Sequence, residues 1–267
     1  MLPVLNIGSL AIQTPGLILL AGLWLGLWLA ERKYPGFAVQ PAVVNNLVFA
    51  GLVSLVVGGR ITFIAENLAA FVKSPASLIS LNPALFDMPA GVLIGLGVCG
   101  WYGLRRRVQF WSLLDALTPG LAVMMIALAL ANLASGNAYG EPAHLPWSIF
   151  LWGEWRHPVQ VYQSLGAMLI LLLKVLPPVS GKPLKNPLIP AGVFFLEFVA
   201  WSAAVQLFLG GFGGDGALIA GQVRAAQVGA WFVLAACLLL LRSRKQAGFR
   251  SQPVPPDEEA TGDDEDH

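Results

Sequence analysis

In LWGEWRHPVQVYQS (151–164) an arginine and a histidine stand side by side at the start of an apolar stretch, in a chain with only 12% charged residues. Their types define what they could do. Arg156 offers a planar fork of five donors that fits a phosphate or a carboxylate. His157 adds a second donor or, as the neutral ring, a proton acceptor near pH 7. Pro158 suits a helix start, where its missing N–H costs nothing, so Gln160 and Tyr162 project from the first turn of the following helix. Upstream, the stretch from Asn132 adds Ser135, Asn137, Tyr139, Glu141, His144 and Glu154, interleaved with Trp147, Trp152 and Trp155. Anion binding and proton transfer are the chemistries this set could perform.

The elements that must position it are set by hydropathy. Of 267 residues 56% are hydrophobic, and mean hydropathy is positive, whereas a soluble domain carries roughly twice this charged fraction. Apolar windows near 13–31, 42–65, 88–104, 113–134, 158–178, 188–210 and 222–241 have the roughly 20-residue length needed to cross a bilayer core. The sequence therefore predicts an all-α, polytopic membrane bundle of about seven spans. The first stretch, TPGLILLAGLWLGLWLAERK, is long and lacks a small-residue cleavage pattern, so it reads as an uncleaved helix. Most of the 16 basic residues fall on one side of this scheme: Arg32 and Lys33; Arg105, Arg106 and Arg107; Lys174, Lys182 and Lys185; Arg242, Arg244, Lys245 and Arg250. The positive-inside rule makes that side the cytoplasm, with the N-terminus outside and the C-terminus inside. Arg156 and His157 then face outward, at a tryptophan-rich interface fit for a lipid headgroup.

A membrane domain over 1–245 is followed by 246–267, a tail that ends in SQPVPPDEEATGDDEDH, has no apolar periodicity and holds nearly half of the 15 acids. It reads as disordered and solvated. PPVSGKPLKNPLIPA is a cytoplasmic loop, and GGFGGDG (210–216) an external turn. GLGVCG (95–100) matches a dinucleotide-binding pattern, but no strand precedes it; small residues inside a span let helices approach closely. Cys99 and Cys237 lie alone inside spans, as packing residues do, and no metal or nucleic-acid site is indicated. Charges inside spans are costly and therefore functional candidates. Arg60 follows two glycines near the outer end of span two, where it could grip a headgroup phosphate or pair with Glu66. Glu197 is placed near the middle of span six, and Asp115 at the start of span four, where a carboxylate suits a helix N-terminus.

The residues LLDALTPGLAVMMIALALANLASGNAYGEP, followed by RHPVQVYQ, resemble the bacterial prolipoprotein diacylglyceryl transferases. In that family an Asp and a Pro open the helix, a G-R-I-G-N-F-x-N-G-E-x-x-G block ends it, and R-H-P-S-Q-L-Y-E follows. VVGGRITFI is similar to the family's G-A-R-L segment, and SPASLISLNPALFDMPAGVLIG to its stretch ending H-G-G-L-I-G. The likeness extends over most of the chain. It implies a multi-pass protein of the bacterial inner membrane that moves a diacylglyceryl group from phosphatidylglycerol to the lipobox cysteine of a prolipoprotein, releasing glycerol phosphate. It implies no cofactor or metal. Matched positions are Arg60, Asp115, Pro119, Asn132, Gly136, Gly140, Arg156, His157, Pro158, Gln160 and Tyr162. On this basis Arg156 and His157 are the catalytic candidates, and Arg60, Asn132, Arg156, Gln160 and Tyr162 the candidates for phospholipid binding.

The departures are as specific as the matches. Ala90 replaces the family's histidine, Ala129 an arginine, Asn137 an acid, Gln163 a glutamate and Pro15 a tyrosine; Ser202 and Gln206 stand where an arginine and a glutamate are spaced by four. Each lost cation or donor at such a site can cost about 10²–10³ in rate. Two further readings therefore accompany the transferase: a catalytically degenerate relative that binds phospholipid or lipoprotein signal segments, and a small transporter sharing only the fold.

Overall fold

The computed structural model describes residues 4–7, 10–33, 39–74, 77–78, 85–176, 190–214, 218–219 and 223–250. Apolar stretches bounded by prolines or polar caps form its helices: α1 (Thr14–Lys33), α2 (Pro41–Glu66), a short α3 (Leu68–Lys73), α4 (Met88–Arg105), α5 (Phe110–Ser135), α6 (Val159–Ile170), α7 (Val193–Leu209) and α8 (Ala225–Arg250). Pro41 starts α2, and Pro89 lies in the first turn of α4. There Asp87 caps the helix, accepting a hydrogen bond from the Ala90 N–H at 2.9 Å, so one orphan donor is satisfied. A π-helical turn, Leu171–Val175, continues α6, and a 3-10 turn, Gly210–Phe212, continues α7. A helix stands at each expected span. The stretches Thr14–Arg32, Pro41–Glu66, Phe110–Ser135, Val193–Phe212 and Ala225–Gln246 are long and apolar enough to cross a membrane, and Val159–Val175 is a shorter apolar helix.

The connections differ from an all-helical expectation. Three antiparallel hairpins occur among the described residues: β1 (Val4–Ile7) with β2 (Leu10–Gln13), β3 (Ile149–Leu151) with β4 (Glu154–Arg156), and β5 (Leu218–Ile219) with β6 (Val223–Arg224). Their segments are too short to register as periodic strands. α7 begins at Val193, not 188, and α8 runs to Arg250 rather than 241. Most of the Pro-rich loop and, from residue 251, the acidic tail lie outside the described residues.

Close packing between helices follows the small residues. A Cβ on Gly22 would fall 2.3 Å from the Ala127 Cβ, and one on Gly26 3.0 Å from the Gly120 carbonyl, so α1 and α5 run antiparallel in near backbone contact. Between α2 and α4, a Cβ on Gly91 would lie 2.5 Å from the Leu55 oxygen, one on Gly59 2.7 Å from the Asp87 oxygen and one on Gly95 2.9 Å from the Gly51 oxygen. In lipid, where apolar side chains gain little by leaving the solvent, such contact supplies association. Gly97 and Gly100 of the same motif face open space. Buried apolar clusters tie α1, α2 and α5 together (Ala30, Val44, Leu47, Leu113, Ala116) and α5, α6 and α7 (Ala122, Ile170, Leu171, Val175, Phe198). A third joins α7 to α8 and contains Cys237. Trp24, Phe49, Leu93, Phe208 and Leu239 stay exposed on the outer faces, as a bilayer-facing surface permits.

Asp115 and Glu197 take roles other than those expected. Asp115 lies beyond the first turn of α5 and caps α7 instead: its carboxylate accepts from the Gly192 N–H at 2.6 Å and the Phe195 N–H at 2.8 Å. Gly192 must be glycine there, with φ +92 and Trp111 where its Cβ would stand. Because α7 starts at Val193, Glu197 sits close to the helix start rather than mid-span, and it pairs with Lys245 at 2.9 Å.

Candidate functional site

The stretch SIFLWGEWRH folds as a hairpin because Trp152 and Gly153 both adopt positive φ, 55° and 85°, which matches the twist of a two-residue turn. Trp152 occupies a conformation that side chains rarely adopt; its indole N–H donates to the Gly136 carbonyl at 3.2 Å. Register pairs Ile149 with Arg156, Phe150 with Trp155 and Leu151 with Glu154. On the other side of β4 the chain returns: Pro142 bridges Arg156, and the Ala143 N–H donates to the Trp155 carbonyl. Arg156 is thus central in a three-stranded patch rather than at a free tip.

Its guanidinium is well occupied. The Nε donates to the Leu151 carbonyl at 3.3 Å, Nη1 to the Gly140 carbonyl at 3.3 Å and Nη2 to the Glu154 carboxylate at 2.6 Å. The guanidinium carbon lies 4.9 Å from the centre of the Tyr139 ring, a cation–π distance. The side chain is 16% exposed.

His157 follows at the end of the hairpin, its N–H donating to the Glu141 carbonyl at 3.0 Å. Its Nδ1 shares a hydrogen bond with the Tyr162 hydroxyl at 3.4 Å, and its ring leans on Phe212 with centroids 5.2 Å apart. The Trp147 indole N–H donates to that hydroxyl at 2.8 Å. When His157 carries its proton on Nδ1, Nε2 presents a lone pair and can accept a proton. Nε2 has no partner among the described residues. Gln160 is fully buried; its Nε2 donates to the Asn137 carbonyl at 2.7 Å, while Oε1 is buried without a partner among the described residues. A buried unpaired acceptor is costly, so this oxygen is suited to a donor from a ligand or water.

Asn132 contributes through its backbone, its carbonyl accepting from the N–H groups of Gly136 and Asn137 and from the Ser135 hydroxyl. Gly136, at φ +78, ends α5 and turns the chain toward the site. Gly140 is required by space: a Cβ there would lie 2.3 Å from the His157 carbonyl oxygen.

Arg60 belongs to a different neighbourhood. It is 9% exposed and donates to the carbonyls of Leu85, Ser77 and Leu78, with Phe71 and Phe86 beside the guanidinium. It shares no hydrogen-bond partner with Arg156. One arginine fastens the loop before α4, and the other the hairpin before α6.

Glu141, of the stretch already singled out, meets a charged residue outside it, and the pair completes the cluster. Arg224, at the end of β6, is 8% exposed and forms an ion pair with Glu141. The Glu141 N–H donates to the Phe212 carbonyl, and Gly140 bridges Gly213. The two charges stand 83 positions apart in the chain, and no local pattern links such partners.

A protein-family model described as prolipoprotein diacylglyceryl transferase matches residues 3–242. The chain is similar to the phosphatidylglycerol–prolipoprotein diacylglyceryl transferase of Photobacterium profundum, with 30% identity over 182 residues, 65% of this chain and 68% of that protein. For the protein of the same name from Aliivibrio salmonicida the identity is 31% over 180 residues, 64% of each chain. For that from Bacillus velezensis it is 22% over 260 residues, 91% of this chain and 92% of the relative.

Proposed function

This chain belongs to the prolipoprotein diacylglyceryl transferase family, and on that premise we propose that it transfers a diacylglyceryl group from phosphatidylglycerol to the lipobox cysteine of a prolipoprotein. The cysteine sulfur attacks the glyceryl carbon; the S–C bond forms as the C–O bond to phosphate breaks, and glycerol phosphate leaves. The reaction needs a proton acceptor for the thiol and positive charge for the departing phosphate. His157 is the acceptor in this reading, through Nε2. Arg156 supplies charge beside it and fixes the Gly140 carbonyl and Tyr139 ring. Gln160 offers Oε1 to a substrate donor, and Tyr162 sets the imidazole orientation. Arg60 holds the carbonyls of Ser77, Leu78 and Leu85 through Nη1 and Nη2, its Nε being buried without a partner among the described residues, and Asn132 shapes the turn beneath the site.

The observation that carries the reading is the gathering of Arg156, His157, Gln160 and Tyr162 on one hairpin and one helix turn, with an unpaired imidazole nitrogen and an unpaired buried amide oxygen among the described residues. With seven spans and the N-terminus outside, this cluster faces the external side of the bacterial inner membrane. Antiparallel packing of α1 on α5, α2 on α4 and α7 on α8 agrees with such alternation. Asp115, Glu197, Arg244 and Lys245 then gather at the end opposite Arg156.

Complementation tests the function. In cells depleted of their own transferase, expression of this chain adds the diacylglyceryl mass to a reporter prolipoprotein, and Arg156→Ala or His157→Ala removes that product. Membrane-inserted protein that yields no modified reporter defeats the proposal. One observation favours the second reading, a lipid-binding relative without turnover: all three guanidinium nitrogens of Arg156 already have protein acceptors.

A further inference from the structure

We infer that Arg224 is a binding residue for the phosphate of a glycerophosphate group, and that Glu141 competes with that phosphate for it. The inference rests on the transferase reading only for the choice of lipid. Three observations carry it. First, Arg224 is 8% exposed, yet the single acceptor on its guanidinium among the described residues is the Glu141 carboxylate, reached by Nη2. An arginine fork carries five donors, and no nitrogen of Arg224 is among the buried unpaired atoms of the described residues, so its remaining donors are open to a ligand. Second, the two partners differ in freedom: the side chain of Glu141 is 53% exposed and that of Arg224 10%. The acid can swing into solvent, whereas the cation is fixed. Third, the pair stands on the strip that also holds Arg156, which donates to the Gly140 carbonyl and covers the Tyr139 ring. Two guanidiniums therefore flank three consecutive residues, and the same Glu141 accepts the His157 N–H.

Gly213 lies beside Arg224, where a Cβ would stand 3.9 Å from its Cδ and 4.0 Å from its Nε, and Gly214 lies against Gly140 and Glu141, so these two positions put no side chain against the pair. A phosphodiester, with two free oxygens and one negative charge, matches the fork better than a half-exposed carboxylate bound through one oxygen. When it binds, Glu141 releases Arg224 and turns outward. The charge at the site is unchanged apart from the acid moved into water. A purely structural ion pair that staples β6 to the strip after α5 makes the opposite prediction for Glu141, since breaking a staple from either side has the same effect.

Native mass spectrometry of the full chain in detergent, with phosphatidylglycerol, diacylglycerol and glycerol phosphate as separate probes, decides between them. The wild type prefers phosphatidylglycerol over diacylglycerol, which lacks the phosphate. Arg224→Gln weakens phosphatidylglycerol binding about tenfold to a hundredfold, the range for a charge-assisted hydrogen bond, and leaves diacylglycerol unchanged. Glu141→Gln strengthens it up to about fivefold, because a partly exposed competing ion pair contributes little more. Glycerol phosphate binding that follows the same order assigns the site to the leaving group as well as the lipid. Retained preference in folded Arg224→Gln, weaker binding together with lower thermal stability in Glu141→Gln, or no preference in the wild type overturns the inference. Should Arg224→Gln fail to fold, Glu141→Gln and Arg224→Lys carry the test, the lysine keeping charge without the fork. The lipidation assay separates this from the transferase reading. Absent lipidation with the predicted binding order defeats the reading and leaves Arg224 in place; lipidation with unaltered binding in Arg224→Gln defeats only the inference.

Discussion

Asp115→Ala removes the cap of a helix whose first residues lie 77 and 80 positions further along the chain. Asp115 is 5% exposed, and its carboxylate receives two backbone N–H groups, at 2.6 Å from Gly192 and 2.8 Å from Phe195. Hydrogen bonds to a charged group contribute about 1.5–3 kcal/mol each, and buried donors left unmatched lose that contribution in full. Part of it offsets the cost of burying the carboxylate, so alanine should destabilise by about 3–5 kcal/mol. Asparagine keeps the shape and one acceptor but points its amide hydrogens at the second N–H, so roughly half of that loss is expected. Equilibrium unfolding in mixed micelles, followed by tryptophan fluorescence, reads both values. Trp111 is a local reporter, lying 4.1 Å beneath the Arg244 guanidinium and against Gly192. In a lipidation assay at low temperature, Asp115→Asn should retain activity, since the cap is at the end opposite His157. Both variants falling within about 0.5 kcal/mol of wild type, the range of ordinary surface changes, would refute the capping argument.

Other substitutions separate space from charge. Gly140→Ala places a methyl 2.3 Å from the backbone oxygen of His157; overpacking of this kind costs about 1–3 kcal/mol, and the shift in His157 should abolish lipidation even where the protein remains folded. Gly91→Ala, 2.5 Å from the Leu55 carbonyl, should lower the midpoint of thermal unfolding clearly, whereas Gly97→Ala, with nothing within 4 Å, should leave it unchanged. His157→Gln removes the proton acceptor while keeping a polar side chain, so reporter lipidation should fall about 10²-fold or more in rate, with phosphatidylglycerol binding retained. Lys245→Ala breaks a pair whose side chains are 57% and 37% exposed, and unfolding should change by less than about 1 kcal/mol.

Helix positions are legible because hydropathy is a local, summed property, and Pro41, Pro89 and Pro158 mark helix starts by a steric rule that needs no partner. Arg156, His157, Gln160 and Tyr162 were legible for a related reason: one short segment carries all four. What escaped detection depends on distant partners. Asp115 looked like a cap for its own helix, and only packing of α5 beside Gly192 shows which helix it serves. Glu197 reads as deep in the sequence because hydropathy cannot divide the Pro-rich stretch before Val193, where the helix starts. Arg60 has the composition of a headgroup ligand, yet its Nη donors meet the carbonyls of Ser77, Leu78 and Leu85, partners that no local pattern marks.

The absent family charges take on a different meaning beside Glu141 and Arg224. Ala129 and Asn137 stand where the family has an arginine and an acid, and Ala129 is buried at 4% exposure. Asn137 instead lends its carbonyl to Gln160. A phosphate responds to the field at its oxygens, which depends on distance and dielectric and not on which helix bears the cation. Arg224 enters from the start of α8 and Glu141 from the end of the segment that follows α5, so an arginine and an acid meet beside His157 without occupying either family position. Loss at one position and gain at another can preserve that field only if the new pair lies within a few ångströms of the reacting atoms. The double variant Arg224→Gln with Glu141→Gln tests this: neutral overall, it should bind phosphatidylglycerol as weakly as Arg224→Gln alone, because the acid matters only through the cation it holds.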